Sequence, residues 1–188
     1  MINVDENRKS KKYGLITQLA RIVWFLSTPL FMFSPQPFYR WRVFLLRLFG
    51  AKVGQSVHIY PSAKIFFPWN LVIGNGSAVG ANSEIYNLGK VIIGKSVTIS
   101  QYSYLCAGTH DYTDPLMPLI KSEIHIGDYA WLCASSIVGP GVHVGEGAII
   151  GLGCVQTKDV MAWMVHGGNP GVTLKKRELK SLIGDLNG

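Results

Sequence analysis

Of the five histidines in this 188-residue chain, His110 stands in the setting best suited to proton transfer. It is followed by Asp111-Tyr-Thr-Asp-Pro115, a polar turn sequence able to hold a ring in place. A neutral imidazole held through one nitrogen can accept a proton on the other near neutral pH, the chemistry of general-base activation. The competing reading is a satisfied surface histidine. His58 and His143 occupy places where side chains face outward, so structural roles are expected for both, and His125 and His166 are weaker ligand candidates. Asn82 and Asn87 are polar residues upstream of His110 that could orient a substrate hydroxyl, although asparagine also suits tight corners with left-handed backbone.

Other chemistries find less support. Neither a Ser/His/Asp triad nor a phosphate-cradling P-loop is legible. A zinc site of the hydratase kind needs closely grouped histidines, whereas His110 and His125 stand fifteen apart with no histidine or cysteine between them, so no metal is expected. Cys106, Cys133 and Cys154 form no C-x-x-C pair and no signal-peptide start precedes them; they are expected to be reduced, in an intracellular protein.

The element that must position His110 is written as a period of six. An aliphatic residue recurs at Val53, Ile59 and Ile65; at Ile73, Val79 and Ile85; at Ile93, Ile99 and Leu105; and at Ile126, Leu132, Val138, Val144 and Ile150. Helices require spacings of three and four and strands spacings of two, so six is one short strand plus one turn, repeated. Small residues four places later, such as Ala63, Ser77, Ser83 and Ala148, mark positions where bulk would not fit. The expected fold is all-β, a parallel β-helix of about five coils with three hexapeptides per coil.

Interruptions of the period point to a site. Beyond one coil of eighteen, the spacings leave extra residues at Leu71-Val72, at Val91-Ile92 and over 111–125, each after the third face of its coil. All three should therefore leave the prism at one corner, and the long loop 111–125 begins directly after His110. Loops on rigid scaffolds are where function concentrates.

Charge is distributed unevenly. The net charge of +7 resides in residues 1–52, where nine basic side chains face Asp5 and Glu6, while the remainder balances. The same segment is apolar over Ile22–Phe33 and Trp41–Phe49. Two amphipathic helices at about 15–26 and 39–49 are expected to cap the open end of the β-helix and to suit peripheral contact with an anionic membrane. Arg21, Pro29, Pro35 and Pro37 argue against a membrane span. Nucleic acid is disfavoured, because the arginines are interleaved with bulky aliphatics. Three segments follow: 1–52 as the basic cap, 53–160 as the β-helix, and 161–188 as a turn followed by a short basic helix over Val172–Leu182 with Leu174, Leu179 and Leu182 inward.

Taken together, Cys106-Ala-Gly-Thr-His-Asp-Tyr-Thr-Asp-Pro115, Ile126-Gly-Asp-Tyr-Ala-Trp-Leu132, Gly139-Pro-Gly-Val-His-Val-Gly145, Thr157-Lys-Asp-Val160 and Gly168-Asn-Pro170 resemble the hexapeptide-repeat O-acetyltransferases of the maltose, galactoside and nodulation group. Arg47-Leu-Phe-Gly-Ala51, Phe67-Pro-Trp69 and His110-Asp-Tyr112 are similar to the colanic acid biosynthesis branch. The resemblance covers about residues 40–176. It implies a left-handed β-helix, a homotrimer with active sites between subunits, and acetyl-CoA as co-substrate. By the same resemblance His110 is the general base, and Asn82 contacts the acceptor. Asp111, which stands where the sugar acetyltransferases carry proline, is a further substrate-side candidate. Trp131 lines the coenzyme tunnel, the Ala134 N–H points at the thioester oxygen, Leu152 meets the pantetheine arm, and Thr157, Lys158 and Lys175 lie near the nucleotide end. Gln156 replaces an aliphatic and is expected to weaken the last coil slightly.

The expected activity is acetyl-CoA-dependent O-acetylation of a sugar hydroxyl, of an exopolysaccharide precursor or lipid-linked oligosaccharide, at the inner face of the cytoplasmic membrane. N-acylation of an amino sugar or amine, and a non-catalytic β-helix scaffold, are the alternatives.

Overall fold

The computed structural model describes residues 12–180, and within them three parallel sheets wrap into a triangular prism. The first sheet contains Lys52–Val53, Leu71–Ile73, Val91–Ile93, Ile124–Ile126 and His143–Val144. The second runs from His58–Ile59 through Ala78–Val79, Thr98–Ile99, Trp131–Leu132 and Ile149–Ile150 to Met164–Gly167. The third holds Lys64–Ile65, Glu84–Tyr86, Tyr104–Cys106, Ile137–Val138 and Val155–Gln156. Register follows the period of six: Val53, Ile73, Ile93, Ile126 and Val144 pair in one column, and the other two faces do likewise. All fourteen repeat aliphatics are buried. The buried small residues keep the corners tight, and serines among them find acceptors, as where Ser77 Oγ donates to Gly94 O at 2.7 Å.

The left-handed β-helix has about six turns rather than five. The extra turn arises because Val160 bridges to Val144 and His166 pairs with Ile150, so that the coil continues past the point where aliphatics cease. Polar residues finish it. Gln156 and His166 are buried, with Gln156 Oε1 3.1 Å from His166 Nδ1, Thr173 Oγ1 2.8 Å from His166 Nε2, and Gln156 Nε2 donating to Lys158 O at 2.6 Å. The expected weakness at Gln156 is thus met by a hydrogen-bonded plug, because each buried polar atom has a partner.

The expected C-terminal helix is absent from the described residues. Val172–Lys176 is instead a strand, antiparallel to Met164–Gly167. The last rung of the second sheet offers unpaired backbone groups, and β-branched Val172 and Thr173 suit a strand, so edge pairing outweighs helical spacing. Leu174 and Leu179 are exposed rather than inward, and Leu182 lies outside the described residues.

Two helices cover the opposite end, α1 over Leu15–Met32 and α2 over Tyr39–Leu48. Helix α1 passes through Pro29 instead of stopping near residue 26. Proline removes the N–H that would bond Phe25 O, and Thr28 Oγ1 donates to that carbonyl at 2.6 Å in its place. Trp24 anchors α1 on the first coil, with its indole N–H donating to Ile65 O at 2.9 Å and its ring packed edge-on against Phe31 and Phe49. By length and composition alone α1 also meets the requirement for a membrane span.

Not all of the basic residues in this cap belong to its surface. Arg42 is fully buried and donates to Ile59 O, Ser34 Oγ, Pro35 O and Gln36 O, so it ties the link between the helices to the first coil. Arg47 donates to the carbonyls of Val53 and Gly54.

Candidate active site

Every interruption of the period does leave the prism at one corner, the one between third and first sheets. The extra residues, however, are not Leu71-Val72 and Val91-Ile92, which are strand residues paired in register. The two extra residues of each coil fall instead within the turns 67–70 and 87–90, with Pro68–Asn70 forming a single 3-10 turn. Asn87 organises this corner from inside: its Oδ1 accepts the Phe67 N–H at 2.8 Å and its Nδ2 donates to Phe67 O at 2.6 Å. Both ends of the amide are therefore committed to backbone, and Asn87 is not available to a substrate hydroxyl. Gly89 has a steric reason to be glycine, since a Cβ would lie 2.6 Å from Ser122 O and 2.8 Å from Ala107 O.

The segment expected to be an open loop over 111–125 is largely ordered. Gly108–His110 pairs antiparallel with Leu119–Lys121, making a hairpin with His110 opposite Leu119, and His125 already belongs to a strand of the first sheet. The hairpin sets the ring of His110. Its Nδ1 lies 2.6 Å from Met117 O, and because a carbonyl can only accept, the neutral ring carries its proton on Nδ1. That leaves the Nε2 lone pair available as a base, on a half-buried side chain.

His110 lines a cleft of about 450 Å³ that sequence reasoning did not foresee as a composite. Its walls come from the hairpin (His110, Leu119), from the corner (Phe66, Tyr86, Leu88) and from the N-terminal segment (Lys12, Tyr13, Gln18, Arg21). Tyr13 packs edge-on to Phe67 at 5.6 Å, and the Arg21 guanidinium lies over the Tyr13 ring at 4.9 Å. Burial pushes the phenols of Tyr13 and Tyr86 upward, so both remain neutral hydroxyls. Aromatic faces beside cations and a base suit a polyhydroxylated, partly anionic ligand. Arg21 was legible only as a charge interrupting an apolar run; no local signal places it in one cleft with His110, which lies far along the chain.

The remaining candidates divide between places. Asn82 and Ala134 lie at the corner between second and third sheets, as does Leu152 one coil above Ala134; the Gly153 N–H donates to Ala134 O at 3.0 Å. Asn82 takes a left-handed φ of 55° there, and its N–H donates to Ser62 Oγ, which is the corner role of asparagine. Within one chain it is thus on the far edge of the third sheet from His110, not beside it. Trp131 lies on the outer face of the second sheet, exposed, with its indole N–H donating to Ser100 Oγ at 2.9 Å. Its column continues through Ile149 and Val165 to Lys175, about 14 Å along the sheet at one strand spacing per step. Among the described residues nothing accepts the Ala134 N–H. Thr157 and Lys158 are exposed on the His110 corner, in the last full coil. Asp111 turns into its own loop, accepting from the Thr113 N–H and hydroxyl at 2.9 and 2.6 Å; those bonds hold its carboxyl below the usual range, and it shapes the turn rather than facing the cleft.

The histidines set aside have structural partners. His58 stacks on Tyr39, His125 on His143 with ring centroids 4.6 Å apart, and burial lowers the pKa of His166. Among the described residues, no group of three His, Cys, Asp or Glu side chains is arranged to hold a metal. The three cysteines are free thiols, and burial pushes those of Cys133 and Cys154 up, which keeps them unreactive.

No family model matches the chain. Over 154 residues, covering 82% of this chain and 85% of the other, it is 43% identical to an Escherichia coli (strain K12) protein named "Putative colanic acid biosynthesis acetyltransferase WcaF". A maltose O-acetyltransferase from Clostridium difficile 630 superposes with a TM-score of 0.80 at 23% identity, covering 95% of this chain and 99% of that one. A galactoside acetyltransferase solved in complex with coenzyme A gives 0.82 at 22% identity, covering 91% and 93%. At such identities the two structures establish the fold.

Proposed function

The chain belongs to the hexapeptide-repeat acetyltransferases, and we propose that it transfers the acetyl group of acetyl-CoA directly to a sugar hydroxyl, with His110 as general base. The observation that carries this reading is the 2.6 Å contact from His110 Nδ1 to Met117 O, which leaves Nε2 unprotonated on a residue that lines a cleft of aromatic and cationic side chains. An acceptor hydroxyl there gives its proton to Nε2 as its oxygen attacks the thioester carbonyl. The oxyanion that develops is met by the Ala134 N–H, a donor of a kind that contributes about 3 kcal/mol. Collapse then expels the coenzyme thiolate, which takes the proton back from Nε2. Trp131, Leu152 and Lys175 flank the coenzyme along the second sheet, with Lys175 as a point charge for phosphate; Thr157 and Lys158 serve its nucleotide end.

His110 and Ala134 occupy different corners of one prism, so this mechanism requires two copies: the His110 corner of one chain faces the Ala134 corner of its neighbour. A closed heterologous ring such as a homotrimer satisfies that geometry. Asn82 shares the corner of Ala134 and would reach the acceptor across the same interface. An exopolysaccharide precursor fits the relative from Escherichia coli, and a lipid-linked form of it at the inner face of the cytoplasmic membrane fits the exposed apolar side of α1.

Free-thiol release from acetyl-CoA, measured over a panel of saccharides and amino sugars, tests the reading. Transfer to hydroxyls that drops by two orders of magnitude or more in His110→Ala is expected. Unchanged transfer in that variant, a preference for amines, or no transfer by the native chain would each overturn it.

A further inference from the structure

Beyond the His110 cleft, α1 leaves a second groove of about 530 Å³ against the first coil, walled by Ile22 and Phe25 on the helix and by Ile65 and Phe66 on the prism. The two spaces adjoin, since Gln18, Arg21 and Phe66 line both. Their chemistry changes along the way. The cleft is polar and holds the base, whereas the groove is apolar and includes the exposed Ile22 and Phe25 of α1.

Arg21 stands at the junction. It is half-buried, its guanidinium lies over the rings of Tyr13 and Phe67, at 4.9 and 5.5 Å, and among the described residues it forms no ion pair or hydrogen bond. Among the described residues its donors are thus uncommitted and suited to an anion, and Lys121 adds a second positive charge 4.6 Å from the Tyr13 ring. A base, then a cation, then an apolar trough is the order of parts in a saccharide joined through a phosphate to a hydrocarbon chain.

We propose that the groove holds the hydrocarbon chain of such an acceptor, with its phosphate on Arg21 and its sugar at His110. This assignment rests on the acetyl-transfer reading and specifies the acceptor class of the same site. Guanidinium is suited to phosphate by its fixed fork of donors. The chain gains by leaving water for the surface of Ile22, Phe25 and Phe66. Helix α1 thus serves as one wall of the acceptor site as well as a cap.

The test compares two synthetic acceptors with the same sugar, one a methyl phosphodiester and one a decyl phosphodiester, below the micellar concentration of the latter. The native enzyme should show a KM for the decyl acceptor at least tenfold lower. Phe25→Asp should bring the ratio of the two KM values to near one, Leu19→Asp on the opposite exposed side of α1 should preserve it, and Arg21→Gln should raise KM for both phosphodiesters but not for the free sugar. Equal KM values in the native enzyme would overturn the proposal. So would a ratio that survives Phe25→Asp while light scattering shows a changed oligomeric state, which would assign the groove to a second copy. If no saccharide is acetylated, the acetyl-transfer reading fails on its own account, and calorimetric binding still decides the groove: tighter binding of the decyl ester that Phe25→Asp abolishes supports it, and equal binding of both esters overturns it.

Discussion

A site divided between copies can be tested by mixing two inactive chains. His110→Ala removes the base but leaves the corner of Ala134 intact. Ala134→Trp does the reverse: it places a bulky side chain on a partly exposed turn, where the coenzyme would lie, and leaves the hairpin of His110 unaltered. Each variant alone should fall to about 1% of native activity or below, the scale of a lost general base. Co-expressed in equal amounts with different tags, they assemble at random into rings. A site is whole when its His110 comes from an Ala134→Trp chain and its coenzyme corner from a His110→Ala chain, two independent events of one half each, so about a quarter of native activity should return in any closed heterologous ring. The third sheet separates the two residues within a chain, so one chain cannot supply both by local adjustment. Specific activity of the whole mixture is the measurement; in a trimer the doubly tagged fraction, freed of pure rings, should reach about a third. A mixture no more active than its parts would refute the two-copy site.

Two stability effects follow from the ends of the prism. Arg42→Met should cost about 3 kcal/mol, because Ile59 O is left buried without a donor and the link at 34–36 loses its tie; urea titration would show it, and a loss under 1 kcal/mol would contradict the account. His166 has a pKa lowered by burial from an ordinary value of 6.5, so the unfolded chain binds more protons as pH falls. Its contribution to stability is complete above 6.5 and is lost as pH drops through the depressed folded value. The thermal midpoint of the native protein should therefore fall between pH 7.5 and pH 5.5, and a His166→Leu/Gln156→Leu variant should fall less; equal slopes would count against the buried plug.

Where sequence reading succeeded, the reason was repetition. Fourteen aliphatics in one register leave a single physical solution, so the β-helix, its inward faces and the common corner of the insertions could be read directly. Reading failed where one unit depends on a distant one. The residues said to bulge, Leu71 and Val91, sit in strands because the corner beneath them is closed by Asn87 bonding Phe67, twenty residues apart. Val172–Lys176 is a strand only because Met164–Gly167 presents an open edge. Arg42 was legible only as one of nine basic residues in the N-terminal segment, and is a buried clamp because Ile59 O and the residues 34–36 converge on it.

The chemistry divides in the same way. By itself the sequence determined that a histidine stands at the mouth of the longest insertion on a rigid prism, since spacing along a periodic scaffold is spacing in space. Only the tertiary structure decided which ring nitrogen is the base, because the carbonyl that fixes it lies across a hairpin at Met117, and that Tyr13 and Arg21 share its cleft, because helix α1 folds back over the first coil. Periodic contacts repeat and can be counted in one dimension, whereas a site closed by unlike segments exists only after they meet.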